Sequence, residues 1–117
     1  MTITDERHGE IGILNLRGNF VGGPAVEVFE RAIFNLLRDE LTQVILDLSG
    51  LKFIDSSGLG AMISAMISVG RKDGALKIAA VQGETQRILK SMNLDRVFDV
   101  YDTIDRAEMS FGKKKPA

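Results

Sequence analysis

Apolar and polar positions alternate through Ile11, Ile13-Leu14 and Leu16, and a shorter extended-looking segment, Thr2–Arg7, precedes them across His8-Gly9-Glu10. Period-two patterning around a tight glycine turn predicts a hairpin of two strands, Thr2–Arg7 and Ile11–Arg17. Gly18 to Gly23 reads as a loop, and Gly23-Pro24 then opens a helix, because proline suits a first helical position. Val26, Phe29, Ile33, Leu36 and Leu37 form its apolar stripe. Gln43–Leu48 is nearly continuous in apolar and β-branched residues, the pattern of a strand covered on both faces. Ser49 to Asp55 reads as a loop. Leu59, Met62, Ile63, Met66 and Ile67 then return to helical spacing, and Arg71-Lys72-Asp73-Gly74 is a stop signal. Ala75–Val81 predicts a further strand, and Glu84–Met92 a short helix with Ile88, Leu89 and Met92 inward. Val97–Tyr101 is the last strand, followed by a helix that contains Ile104, Ala107 and Phe111.

This alternation predicts one α/β domain over residues 1–112: a mixed, mostly parallel sheet with an N-terminal hairpin and four helices. The helices are expected largely on one face, because only the central strand is apolar throughout. Residues 113–117, Lys113-Lys114-Lys115-Pro116-Ala117, are expected to be a disordered basic tail.

Composition narrows the chemistry. The 117 residues carry 15 Lys+Arg and 16 Asp+Glu, a net charge of −1, without the basic excess of a nucleic-acid-binding surface. With no cysteine, disulfides, thiolate metal sites and cysteine nucleophiles are excluded. His8 is the only histidine, expected as a solvated turn residue with no partner for catalysis, so neither a metal nor a cofactor is implied. The charged start and the lack of a long apolar run point to a cytoplasmic protein without membrane contact.

The informative segment is Asp55-Ser56-Ser57-Gly58-Leu59-Gly60. Read on spacing alone, it is an N-cap, with Ser56 or Ser57 as the capping residue. The same geometry puts hydroxyls at a helix end whose dipole tolerates an anion, and Gly58 and Gly60 leave room for another protein to approach. Farther along, Gly60, Ser64 and Ser68 recur every four residues. That stripe is either a close-packing contact for a partner, a plain solvent face or a helix side pressed on its own sheet. Phe34, at the polar edge of the first helix, either reaches the surface or covers the core rim.

From Thr2 to Phe111 the order of elements, and above all the Asp55–Gly60 motif, resembles STAS domains, the anti-sigma-factor antagonists of bacterial partner switching. The resemblance implies that Ser56 is the phosphoacceptor, with Ser57 secondary, and that Asp55 orients the hydroxyl or holds the loop. It implies as partners an anti-sigma factor that is itself a serine kinase, bound by the unphosphorylated form so that a sigma factor is released, and a PP2C-type phosphatase. A weak homodimer is also expected. Family members often carry an acidic pair after the second strand. Here that stretch is Gly18-Asn19-Phe20-Val21. Asn19, Phe20 and Val21 are therefore expected as partner contacts of altered character, as a structural STAS subunit of a stressosome-like assembly would have. An enzyme with Ser56 as nucleophile is disfavoured, because no glycine-serine-glycine elbow and no nearby histidine accompany it.

Overall fold

The structure, a computed structural model, describes residues 1–112, so the expected basic tail lies outside the described residues. These residues form β1 (Thr2–His8), β2 (Ile11–Phe20), α1 (Gly22–Arg38), β3 (Gln43–Ile54), α2 (Ser56–Gly70), β4 (Ala75–Ala79), α3 (Gly83–Ser91), β5 (Asp99–Tyr101) and α4 (Ile104–Ser110). One sheet holds the strands in the order β1-β2-β3-β4-β5, with β1 antiparallel to β2 and the other neighbours parallel.

Because the parallel strands follow one another across the sheet in chain order, right-handed crossovers put α1, α2 and α3 on the same face. Leu14, Leu16, Val44, Leu46, Leu48 and Ile78 point to that face and form the main core with Phe29, Leu36, Met62 and Leu89. The alternate residues, Ile11, Ile13, Ile45 and Ala79, point the other way and are covered by Ala107 of α4 with Ile104 and Phe111. Strands β2 and β3 are thus apolar on both faces, and the expectation of helices mainly on one side holds for three of the four.

Several expectations need correction. Neither Gly18–Phe20 nor Ser49–Ile54 is a loop; they extend β2 and β3, which pair as far as Phe20 opposite Ile54. The register shifts between Asn15 and Arg17, and again between Gly18 and Asn19. Two bulges therefore erase the period-two signal that marks a strand in sequence. At the first bulge the buried Asp47 carboxylate accepts from the Ser49 N–H at 3.0 Å, satisfying a group the ladder drops. Ile67 and Met92, expected inside, are 48% and 55% exposed. On α2 the inward face holds the small residues Ala61 and Ala65 beside Leu59, Met62 and Val69, and the alanines let the helix lie close to its neighbours. His8 is not merely solvated: its Nδ1 lies 2.7 Å from Glu108 Oε2 and links the hairpin to α4. The same helix is held by Lys77, whose buried Nζ donates to Ser110 Oγ at 2.6 Å and sits 4.3 Å from the Phe111 ring centroid.

Candidate functional site

The carboxyl ends of β2 and β3 project past the end of β4, and α1 and α2 begin there. Asp55 organises this junction. It occupies the N-cap of α2 in an extended conformation, and its Oδ1 accepts from the Gly58 N–H at 3.0 Å. Its Oδ2 accepts from the Gly22 N–H, at the start of α1, at 3.1 Å. Its own N–H donates to the Phe20 carbonyl at 3.2 Å. One side chain therefore ties the last residues of β2, the start of α1 and the first turn of α2 into one unit.

Asp55, and neither serine, is the cap. An aspartate at the N-cap reaches the third helical N–H through its carboxylate, which leaves Ser56 and Ser57 as the first two helical residues. Both serines are exposed, and neither hydroxyl has a hydrogen-bond partner among the described residues. The role of Gly22 was missed by the sequence reading. The available signal was the Gly22-Gly23 pair: Gly22 has φ +81°, a left-handed conformation that glycine adopts without strain.

The remaining expected contact residues divide into two groups. Asn19, Val21, Gly60, Ser64 and Ser68 are exposed, together with Phe53, which pairs in register with Asn19. Phe20, Gly58 and Leu59 are buried, so they shape the surface from below instead of forming it. Phe20 is fully enclosed, its ring centroid 5.1 Å from that of Phe29. It points inward because β2 continues as a strand, and strand alternation then sends Asn19 and Val21 outward. Phe34 does reach the surface.

No charged residue occurs anywhere in α2, and its first turn has no acid. Its amino end thus offers two serine hydroxyls and the positive pole of the helix dipole, with the Asp55 carboxylate turned back into the fold. An added anion on Ser56 would be tolerated by the folded domain, while a partner resting on that surface would have to desolvate it. The Asp55 carboxylate next to Ser56 is engaged by the Gly22 and Gly58 N–H groups, and the sole histidine belongs to the hairpin and pairs with Glu108 of α4.

The family model for the STAS domain matches residues 2–107. This chain belongs to the STAS domain family. The STAS domain is 26% identical over 102 residues to the anti-sigma F factor antagonist of Paenibacillus polymyxa, with 87% of each chain covered. It is 27% identical over 109 residues to the anti-sigma-F factor antagonist RsfB of Mycobacterium tuberculosis, covering 92% of this chain and 86% of that one. It also shares its fold with the Bacillus cell fate determinant SpoIIAA in the phosphorylated form: TM-score 0.73, 20% identity, 94% of this chain and 99% of the other.

Within this STAS domain the close approach of α2 to β2 depends on Gly58. A Cβ there would lie 2.7 Å from the Phe20 carbonyl oxygen and 2.8 Å from Ile54 Cγ1. Backbone cannot yield as a flexible side chain can, so Gly58→Ala is expected to cost about 1–3 kcal/mol as an overpacked contact. Urea titration of the variant checks this. Gly60→Ala, whose Cβ meets nothing within 4 Å, is the matched control and should be neutral or slightly stabilising.

Proposed function

We propose that this STAS domain is a cytoplasmic, phosphorylation-gated binding module and not an enzyme. In its unphosphorylated form it binds an anti-sigma factor that is a serine kinase, so that the sigma factor is released. Phosphorylation of Ser56 ends that complex, and a PP2C-type phosphatase restores it. The observation that carries this reading is the Ser56 hydroxyl, exposed and unengaged on the first turn of α2 because Asp55 supplies the cap. Relatives named anti-sigma factor antagonists support the partner class.

In this reading the contact surface comprises Ser56, Ser57, Gly60, Ser64 and Ser68 of α2, with Asn19 and Val21 at the end of β2. Asp55, Gly58, Leu59 and Phe20 hold that surface in shape. Mass spectrometry after incubation with the candidate kinase and ATP tests the assignment. A single phosphoryl group on Ser56 is expected in the wild type, with none in Ser56→Ala. Phosphate confined to Ser57, or absent in the presence of an active kinase, would overturn it.

A second reading has its own observation. The exposed Asn19 and Val21 at the end of β2 lack the acids that this stretch often carries in the resembled proteins. That composition fits a structural STAS subunit of a stressosome-like assembly, in which Ser56 and Ser57 only modulate contacts. A particle far larger than a dimer by light scattering would favour it.

A further inference from the structure

Away from the α2 tip, α1 presents an exposed row at a spacing of four: Glu30, Phe34 and Arg38. Phe34 stands out of the surface, 63% exposed. Beside it, an open groove of about 280 Å³ runs between α1 and α2, floored by Phe29, Ile33, Ala61 and Ala65, with Ser64 and Ser68 along the α2 rim. A cavity of about 150 Å³ is enough to hold benzene. The groove therefore accepts a phenyl ring with room for its stem.

We infer that this face docks a second copy of the same chain in a two-fold, antiparallel contact between α1 helices. Phe34 of each copy sits in the other's groove, and Glu30 of each lies against Arg38 of the other. An isologous contact needs its knob and its hole on one patch, and opposite charges on either side of the axis. In an antiparallel crossing centred on Phe34, the position four residues before it meets the position four residues after it. Those positions carry Glu30 and Arg38. Glu30 has no ion-pair partner among the described residues. Arg38 holds only surface contacts, to the half-buried Asn35 at 3.2 Å and the exposed Asp39 at 3.3 Å, which are readily exchanged. The uncharged α2 wall adds no repulsion to the approach. A contact formed this way covers Ser64 and Ser68, so self-association and docking of another protein there exclude one another. The inference stands whether or not Ser56 is phosphorylated.

Sedimentation equilibrium on the full chain tests it. The wild type should show a monomer–dimer equilibrium between about 10 µM and about 1 mM, the range of a small contact. Phe34→Asp should be monomeric throughout, with unchanged circular dichroism. Glu30→Arg and Arg38→Glu should each weaken the dimer about tenfold, since each sets like charges together. Mixing those two variants should restore association, because every charge pair between the unlike copies is then opposite. A wild type that stays monomeric, a Phe34→Asp that associates normally, or a mixture that fails to recover overturns the proposal. So does a monomeric wild type whose kinase binding is lost in Phe34→Asp, an outcome that gives the groove to a different protein.

Discussion

Phe20→Ala is expected to lower the unfolding free energy by about 3–5 kcal/mol, the usual cost of emptying a fully buried phenyl site. The side chain has no exposed surface and packs on the Phe29 ring at 5.1 Å, with the ring planes tilted by 51°. Such aromatic pairs contribute about 0.5–1.5 kcal/mol beyond the area they bury. The cavity would open directly beneath Gly58, whose Cβ position lies 3.0 Å from Phe20 Cδ1, so the first turn of α2 would lose its support. A domain of this size has about 5–15 kcal/mol in total, and the variant would forfeit a large share. Urea unfolding followed by circular dichroism reads this as a large fall in midpoint. Val21→Ala, at a position 43% exposed, should move stability by no more than about 0.5 kcal/mol. If Phe20→Ala instead kept full stability and lost only partner binding, its ring would have to be a surface contact and the packing described above would be wrong.

The largest functional effect should come from charge at Ser56. Phosphorylation there adds about −1.5 to −2 charge and three acceptor oxygens. In the free domain this group meets the positive end of α2, whose first turn carries no acid, so the fold absorbs it at little cost. At a docked interface the same group must be desolvated, and α2 supplies no cationic side chain to pair with it. A loss of about 3 kcal/mol or more follows, which is at least about a hundredfold in affinity. Ser56→Asp is expected to reproduce a large part of that loss with one negative charge, at a melting temperature close to wild type. Ser56→Ala should bind as well as the wild type and stay bound when ATP is added. Surface plasmon resonance with an immobilised candidate anti-sigma kinase measures all three. Equal affinities for Ser56→Ala and Ser56→Asp would remove Ser56 from the mechanism.

The regular parts of the fold were legible because their patterns are local. The N-terminal hairpin, the apolar stripe of α1 and the continuous run of β3 each declare themselves within a few residues, although the turn itself is Gly9-Glu10 and His8 ends β1 opposite Ile11. What misled the reading was irregularity. The bulged ends of β2 and β3 resemble loops because an extra residue on one strand breaks alternation, although hydrogen bonding continues to Phe20 and Ile54. That error turned Phe20 from a buried anchor into an expected contact. Capping misled in a second way: Asp, Ser and Ser are all good caps, and only the backbone path shows which one precedes the helix.

The order of elements, the amphipathic period of α1 and the Asp55–Gly60 motif follow from the chain alone, since each depends on neighbours within a turn or a strand. The double use of Asp55, the burial of Phe20 and Gly58, the pairing of His8 with Glu108 and the groove beside Phe34 do not. Each joins residues that lie far apart along the chain. Such contacts arise only when parallel strands are set side by side and helices cross over them, and no local pattern encodes which distant group will face which.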